Sequence, residues 1–191
     1  MLTEEQIYQN KMKVIELLQK LDIDITELVA YMDSTDYWHK PASTQFFRAY
    51  AGGLCSYALD LCYELSALCN AYFPGKYDEK TIIKVALLKD IYRATLYESY
   101  NKNVKNEATG QWETQLGYRY SETRPVYGDL AFSSFMIIRK LIDLTDEEVE
   151  AICQSNTRDS YAGDIYEIYR DYPLVTLTKM ADLAASYFDN K

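Results

Sequence analysis

Histidine is nearly absent from this chain, which has 191 residues and a single histidine, His39. Imidazole is the commonest protein ligand for transition metals, so a metal centre built on several histidines is excluded. Glycine and proline are also scarce, with 7 and 4 residues, which favours helices joined by short connections. His39 lies beside Trp38 in a polar loop, and we expect it at the surface.

Long apolar runs are missing as well. No stretch is long enough to span a membrane, and no apolar run follows the first residues, so we expect no signal peptide and a cytoplasmic protein. The cysteines form no Cys-x-x-Cys pair, and three of them recur every seven residues along one predicted helix face, too far apart to bond to each other. We therefore expect all four to be buried and reduced: Cys55, Cys62, Cys69 and Cys153.

Positively charged residues are outnumbered, because the chain has 20 Lys and Arg and 29 Asp and Glu. Its formal net charge is −9. This balance argues against binding to the DNA backbone or to anionic lipid. It leaves room for a small anionic ligand in a locally basic pocket. Tyrosine is abundant, with 19 residues, and this excess fits stacking on bases, a protein interface or simple compositional drift.

Hydrophobic residues make up 48 % of the chain, enough for a single domain with one core. Thr3 and Gln6 form a capping box that predicts a first helix ending near Leu21. Residues 101–125 are polar with turn signals and predict a β-hairpin or an ordered loop. The other predicted helices cover 26–32, the segments after Gly53 and after Asp78, 130–141, 145–154 and 173–188. The chain is thus predicted to be mostly α-helical, with helices in residues 1–40 packing on a core of residues 41–188.

Three segments resemble the HD-domain phosphohydrolases of phages and bacteria. They are Pro41-Ala42-Ser43-Thr44 with Ala49-Tyr50-Ala51-Gly52-Gly53-Leu54; Val85-Ala86-Leu87-Leu88-Lys89-Asp90; and Leu144-Thr145-Asp146-Glu147-Glu148, followed by Ala181-Asp182. The hairpin residues Asn103-Val104-Lys105-Asn106 and Thr109-Gly110 are also similar. The resemblance spans residues 41–188 and implies an HD-domain-like helical bundle.

The resemblance also implies a metal-dependent active site, from which this chain departs at nearly every histidine. In that family, His and Asp side chains hold one or two divalent metals that activate water. The pair that names the family reads Lys89-Asp90, and a later Gly-His reads Gly128-Asp129. Other expected histidine positions hold Phe47, Tyr57, Ser155 and Lys179, whereas Asp90 and Asp182 remain.

We therefore expect a catalytically inactive relative that uses no metal or cofactor. One interpretation is that cations replace the metals and hold a linear or cyclic nucleotide without cleaving it, so that a phage-type protein counters or senses host signalling. The alternatives are buried Lys–Asp pairs with a purely structural role, an acidic module that inhibits a host protein, and residual Mg²⁺-dependent hydrolysis; homo-oligomerisation is left open. The candidate ligand-binding residues are Arg48, Tyr57, Lys89, Asp90, Arg93, Asp129, Lys179 and Asp182.

Overall fold

The computed structural model describes residues 2–123, 130–155 and 165–188. Its helices are α1 (Glu4–Gln19), α2 (Thr26–Ser34), a 3₁₀ turn (Tyr37–His39), α3 (Gly53–Tyr72), α4 (Glu79–Leu88), α5 (Arg93–Leu96), α6 (Leu130–Ile138), α7 (Asp146–Gln154), α8 (Ile165–Asp171) and α9 (Pro173–Tyr187). Two antiparallel strands, β1 (Tyr97–Lys105) and β2 (Trp112–Tyr120), form a hairpin between α5 and α6. The prediction of a mostly helical chain with a small hairpin is confirmed, whereas an HD-domain arrangement of the helices stays a prediction.

Local capping signals fix several helix starts. The Thr3 hydroxyl accepts from the Gln6 amide while the Gln6 side chain accepts from the Thr3 amide, so that both ends of the predicted capping box are made. Thr145 and Glu148 repeat the arrangement at α7. Each box satisfies amide groups that a helix start otherwise leaves without partners.

Helix α3 is the centre of the molecule. It packs against α9, α4 and α1, and its inward face is apolar along its whole length because leucines recur at helical spacing. The buried side chains of the other helices join it in one hydrophobic cluster. The N-terminal helix α1 contributes Ile7, Val14 and Leu18 to this cluster.

Several predicted elements differ from those observed. The hairpin begins and ends earlier than predicted, since β1 begins at Tyr97, four residues before the polar segment, and β2 ends at Tyr120. Helix α6 ends at Ile138 rather than Leu141, because the amide of Leu141 bonds back three residues to Ile138 and tightens the last turn. Helix α8 was not predicted within polar residues 156–172; Ile168 and Tyr169 hold it against the core.

None of the four cysteines forms a disulfide, as predicted; Cys55, Cys62 and Cys69 are buried along α3, whereas Cys153 is half-buried, not buried as predicted. Burial raises the pKa of the Cys55 thiol to about 12 and that of Cys62 to about 11. These thiols are therefore protonated and unreactive at neutral pH. Within the described residues, no helix combines the length and apolarity that crossing a membrane requires.

Candidate functional site

A cluster of charged side chains lies in the interior where α3, α4 and α9 meet. We call it the Lys89 cluster; it consists of Tyr57, Lys89, Asp90, Arg93 and Asp182. Lys89 has no exposed surface and Asp90 is buried, whereas Arg93 and Asp182 keep partial contact with solvent, at 14 % and 21 % of their side chains. These five side chains come from three helices and the turn after α4, so the fold brings together residues that are far apart in sequence.

The Lys89 ammonium lies between the two carboxylates. Its Nζ is 2.6 Å from Oδ2 of Asp90 and 3.5 Å from Oδ1 of Asp182. The Tyr57 hydroxyl completes the contact, because it lies 3.0 Å from the same Asp90 oxygen and hydrogen-bonds Asp182 as well. The ammonium therefore occupies the space that two facing carboxylates would otherwise offer to a metal ion.

Arg93 neutralises the other side of Asp90. Its Nε donates to Oδ1 of Asp90 at 2.8 Å, and a terminal nitrogen donates to the Ala42 carbonyl at 2.7 Å. Burial alone would raise the pKa of Asp90, but the charges and hydrogen bonds of Arg93 and Lys89 outweigh it and hold that pKa well below its usual range. Asp90 is thus ionised at neutral pH and paired with two cations.

The Tyr57 ring replaces an expected histidine with a group that stays neutral. Burial, followed by the negative charges of Asp90 and Asp182, raises the pKa of the Tyr57 hydroxyl well above its ordinary value. The cluster consequently holds two positive and two negative side chains around a neutral phenol. Such an arrangement favours the structural interpretation over phosphate binding, because each buried cation already has a carboxylate partner.

A divalent metal does not fit these residues. Hard cations need several oxygen ligands converging on one point, and here the ammonium of Lys89 is at that point. Within the part of the chain that the structure describes, no three His, Cys, Asp or Glu side chains are grouped closely enough to hold a metal ion.

Two of the other predicted site residues contact side chains that are not part of the Lys89 cluster. Lys179 extends over the ring of Tyr169 and donates to its hydroxyl at 2.9 Å. Arg48 pairs with Asp60 on α3. Asp129 lies outside the described residues. His39 is at the surface, as predicted, with its Nδ1 2.7 Å from Asp36.

Arg48 lies in a cavity of about 520 Å³, which we call the Arg48 cleft. The cleft runs between the loop before α3 and the C-terminal end of α9. Half of its lining residues are aromatic, and its lining surface is more polar than apolar; the residues are Phe46, Phe47, Arg48, Tyr50, Ser56, Asp60, Ala185, Ser186, Tyr187 and Phe188. The rings of Phe47 and Tyr187 are 6.1 Å apart, and Phe47 also packs against Tyr57 at 5.5 Å, so the cleft adjoins the Lys89 cluster.

A tight turn sets the geometry of this cleft. The Ser43 hydroxyl accepts from the amides of Phe46 and Phe47 at 3.0 and 2.9 Å and donates to the Phe47 carbonyl. Arg48 then adopts a left-handed backbone with φ of 46°. A Cβ on Gly53 would lie 2.1 Å from the Arg48 carbonyl oxygen, so only glycine allows this loop to close on α3.

Sequence reasoning missed most of the cleft. Arg48 was a candidate, but Asp60 and Tyr187 were not singled out, and Phe188 was only the end of the last predicted helix. Two sequence features could have indicated the cleft: a pair of aromatic residues at the end of an amphipathic helix, and Phe46 and Phe47 next to an arginine.

No protein-family model, curated protein or solved structure matches this chain. The resemblance to the HD-domain phosphohydrolases therefore rests on the sequence segments alone and stays a prediction.

Proposed function

We propose that this chain is a non-catalytic binding protein for a nucleotide, linear or cyclic, and that the ligand occupies the Arg48 cleft. The observation that carries the proposal is a cavity of about 520 Å³ whose lining combines aromatic rings with an arginine and an aspartate. Its volume lies within the range of about 300–1,000 Å³ that is typical of ligand pockets. The role that follows is sequestering or sensing a nucleotide signal.

Exposed rings support the base-binding half of this proposal. Tyr187 is 67 % exposed at the end of α9, and Phe46 and Phe188 are exposed beside it. Aromatic side chains at a cleft mouth offer π-faces on which a nucleobase stacks, and such stacking contributes about 1–3 kcal/mol per base. An apolar ring exposed this far would otherwise be costly to leave in water.

Polar groups at the floor support the remaining contacts. Arg48 donates to Ser56 at 2.9 Å and to the Ala185 carbonyl at 3.1 Å, besides its pair with Asp60. Within the described residues these contacts engage three of its five N–H groups, so further donors remain for an anionic oxygen. Asp60 uses one carboxylate oxygen for Arg48, and its second oxygen can accept from a base N–H group.

We expect that a nucleotide bound at this site is not hydrolysed. Phosphoester cleavage in the family that the sequence resembles relies on metal ions that activate water, and the Lys89 ammonium is placed where such an ion would be repelled. Arginine binds phosphate through charge and paired hydrogen bonds without activating water. A bound nucleotide should therefore be recovered intact.

The test is a thermal-shift screen against linear and cyclic nucleotides, followed by calorimetry with the one that stabilises most. Tyr187→Ala should weaken binding about 5- to 150-fold, as expected for the loss of one stacking ring. Tyr72→Ala is the matched control, because Tyr72 is 60 % exposed at the end of α3 and does not line the cleft; its affinity should equal that of the wild type.

Two other outcomes would replace the proposal. If no nucleotide raises the melting temperature while a host protein co-purifies with the chain, the acidic interaction module is the better function. If added Mg²⁺ or Mn²⁺ produces phosphohydrolase activity that Asp90→Asn abolishes, the chain is an enzyme.

A further inference from the structure

We propose that the hairpin is a dimerisation element: the free edge of β2 pairs antiparallel with β2 of a second copy, so that two hairpins form one four-stranded sheet. The proposal is independent of the ligand in the Arg48 cleft. It rests on three features: the exposed apolar side chains of the hairpin, the backbone groups of β2 that point away from β1, and the charge pattern along β2.

Large apolar side chains of the hairpin are exposed to solvent. Trp112 is 70 % exposed, and Leu116 and Tyr120 are about half exposed. The register pairs Trp112 with Lys105, Leu116 with Asn101 and Tyr120 with Tyr97, which puts these apolar side chains on one face of the ribbon. A two-stranded ribbon is marginally stable in water by itself, and an exposed apolar row on it indicates a surface that another chain covers.

The backbone of β2 is ready for pairing. The amide of Ser121 donates to the Leu96 carbonyl at 2.9 Å, and that of Asn106 donates to the Gln111 carbonyl at 2.8 Å. Antiparallel pairs alternate between bonded and non-bonded positions, so the odd-numbered residues of β2 bond to β1. The even-numbered residues, Trp112 to Leu116 and Tyr118 among them, therefore direct their amide and carbonyl groups away from β1.

The edge of β1 is less suited to pairing. Its outward-facing groups belong to the odd-numbered residues, and the carbonyl of Tyr97 among them already accepts from Lys40 Nζ at 3.2 Å. Tyr97 itself is buried against Tyr92 and Leu96. Within the described residues, the sheet contains β1 and β2 alone, which leaves β2 as the strand for a second copy to join.

The side chains of β2 select one register. In the dimer, a residue whose backbone groups point away from β1 must lie opposite another such residue, and in β2 these are the even-numbered ones. The two-fold axis therefore has to pass through a residue position of β2 and not between two neighbouring positions. With the axis at Leu116, Glu113 of each chain lies opposite Arg119 of the other, at a non-bonded position where side chains approach most closely. An axis at Gln115 or Gly117 places Glu113 opposite Gly117 or Ser121 instead, and no opposite charges meet.

Apolar contacts agree with that register. An axis at Leu116 brings the two Leu116 side chains together and sets each Trp112 opposite Tyr120 of the other copy, on the same face. Cross-strand aromatic and opposite-charge pairs are both stabilising contacts between strands. Five backbone pairs form across the axis and supply about ten hydrogen bonds.

The overall charge of −9 does not oppose this contact, because residues 97–120 are neutral. Three acidic residues balance three basic ones: Glu98, Glu107, Glu113, Lys102, Lys105 and Arg119. Arg119 is already aligned by Glu98, whose Oε1 lies 2.8 Å from its Nε. In the dimer each Arg119 then lies between Glu98 of its own chain and Glu113 of the other.

Charge reversal tests the register. Sedimentation velocity over a range of concentrations should show a dimer for the wild-type chain. Glu113→Arg and Arg119→Glu should each weaken the dimer at least tenfold, because two like-charge contacts replace two attractive ones. The double variant Glu113→Arg/Arg119→Glu restores opposite charges across the axis and should dimerise like the wild type. A monomeric wild type, or single variants that dimerise normally, would overturn the proposal.

A backbone variant tests the edge itself. Thr114→Pro removes an amide that faces outward, so the hairpin loses no internal backbone bond and only the exposed side-chain bond from Thr114 to Asn103, while the dimer loses bonds between Thr114 and Tyr118. We expect a monomer with an unchanged circular dichroism spectrum. A Thr114→Pro chain that remains dimeric would show that the contact lies elsewhere and would refute pairing through β2.

Discussion

Asp90 is the residue on which the Lys89 cluster depends most, because it is buried and contacts two cations, the buried Lys89 and the partly buried Arg93. Replacing it with asparagine keeps the shape and removes the charge, leaving Lys89 with Asp182 at 3.5 Å and Arg93 without its carboxylate. Removing one partner of a buried ion pair typically costs about 3–5 kcal/mol. For a chain of 191 residues, that loss lowers the melting temperature by about 6–20 °C.

The same variant should change how stability depends on pH. The pKa of Asp90 is lowered in the folded state, whereas an unfolded aspartate titrates near a pKa of about 3.9. Its stabilisation is therefore complete above about pH 4 and is lost as the pH falls from there through the folded pKa. The wild-type free energy of unfolding should decline steeply below about pH 4, and Asp90→Asn should flatten that decline.

Urea unfolding followed by circular dichroism between pH 3 and pH 8 measures both effects. Asp22→Asn is the matched control, since Asp22 forms an exposed pair with Lys80 at 3.3 Å and its backbone φ of 60° suits asparagine. Exposed pairs contribute at most about 1 kcal/mol. If Asp90→Asn were no more destabilising than Asp22→Asn, and its acid profile matched that of the wild type, the cluster would not have the structural role assigned to it.

Further predictions concern the loop, the cysteines and a helix cap. Gly53→Ala should destabilise strongly and lower the melting temperature, because its Cβ would meet the Arg48 carbonyl at 2.1 Å; a normal melting temperature would contradict that packing. Cys55 should react with a thiol reagent only at the rate of unfolding, since burial raises its pKa to about 12; fast labelling of the native chain would show otherwise. Thr145→Ala should cost about 1 kcal/mol in urea unfolding through loss of the capping box, and no change would mean that the cap contributes nothing.

The parts of the fold that sequence predicts well depend on neighbours along the chain. The capping boxes at Thr3 and Thr145 and the cap at Asp78 are all made by residues three positions apart. Helix α8 was not predicted because it has only seven residues, too few to be stable by itself, and packing of Ile168 and Tyr169 against the core stabilises it. Whether such a short helix forms depends on its tertiary contacts, which cannot be read from a single sequence.

The contacts of the Lys89 cluster were predicted in part. The sequence led us to expect a pair of Lys89 with Asp182 or of Lys179 with Asp90; the first is observed, whereas the shorter contact of Lys89 with Asp90 was not predicted. The choice between phosphate binding and internal pairing depended on whether Asp182 and Tyr57 reach the ammonium, which long-range packing decides. Pairing of Lys179 with Tyr169 was not foreseen, because α8 itself was not.

Affinity of two variants for the same nucleotide tests the assignment of the ligand to the Arg48 cleft most directly. Lys89→Met and Tyr187→Ala are compared with the wild type by calorimetry, at a temperature where circular dichroism shows each protein folded. We expect Lys89→Met to bind within about threefold of the wild type and Tyr187→Ala to bind about 5- to 150-fold more weakly. Strong loss in Lys89→Met with full affinity in Tyr187→Ala would place the ligand in the Lys89 cluster and contradict this assignment.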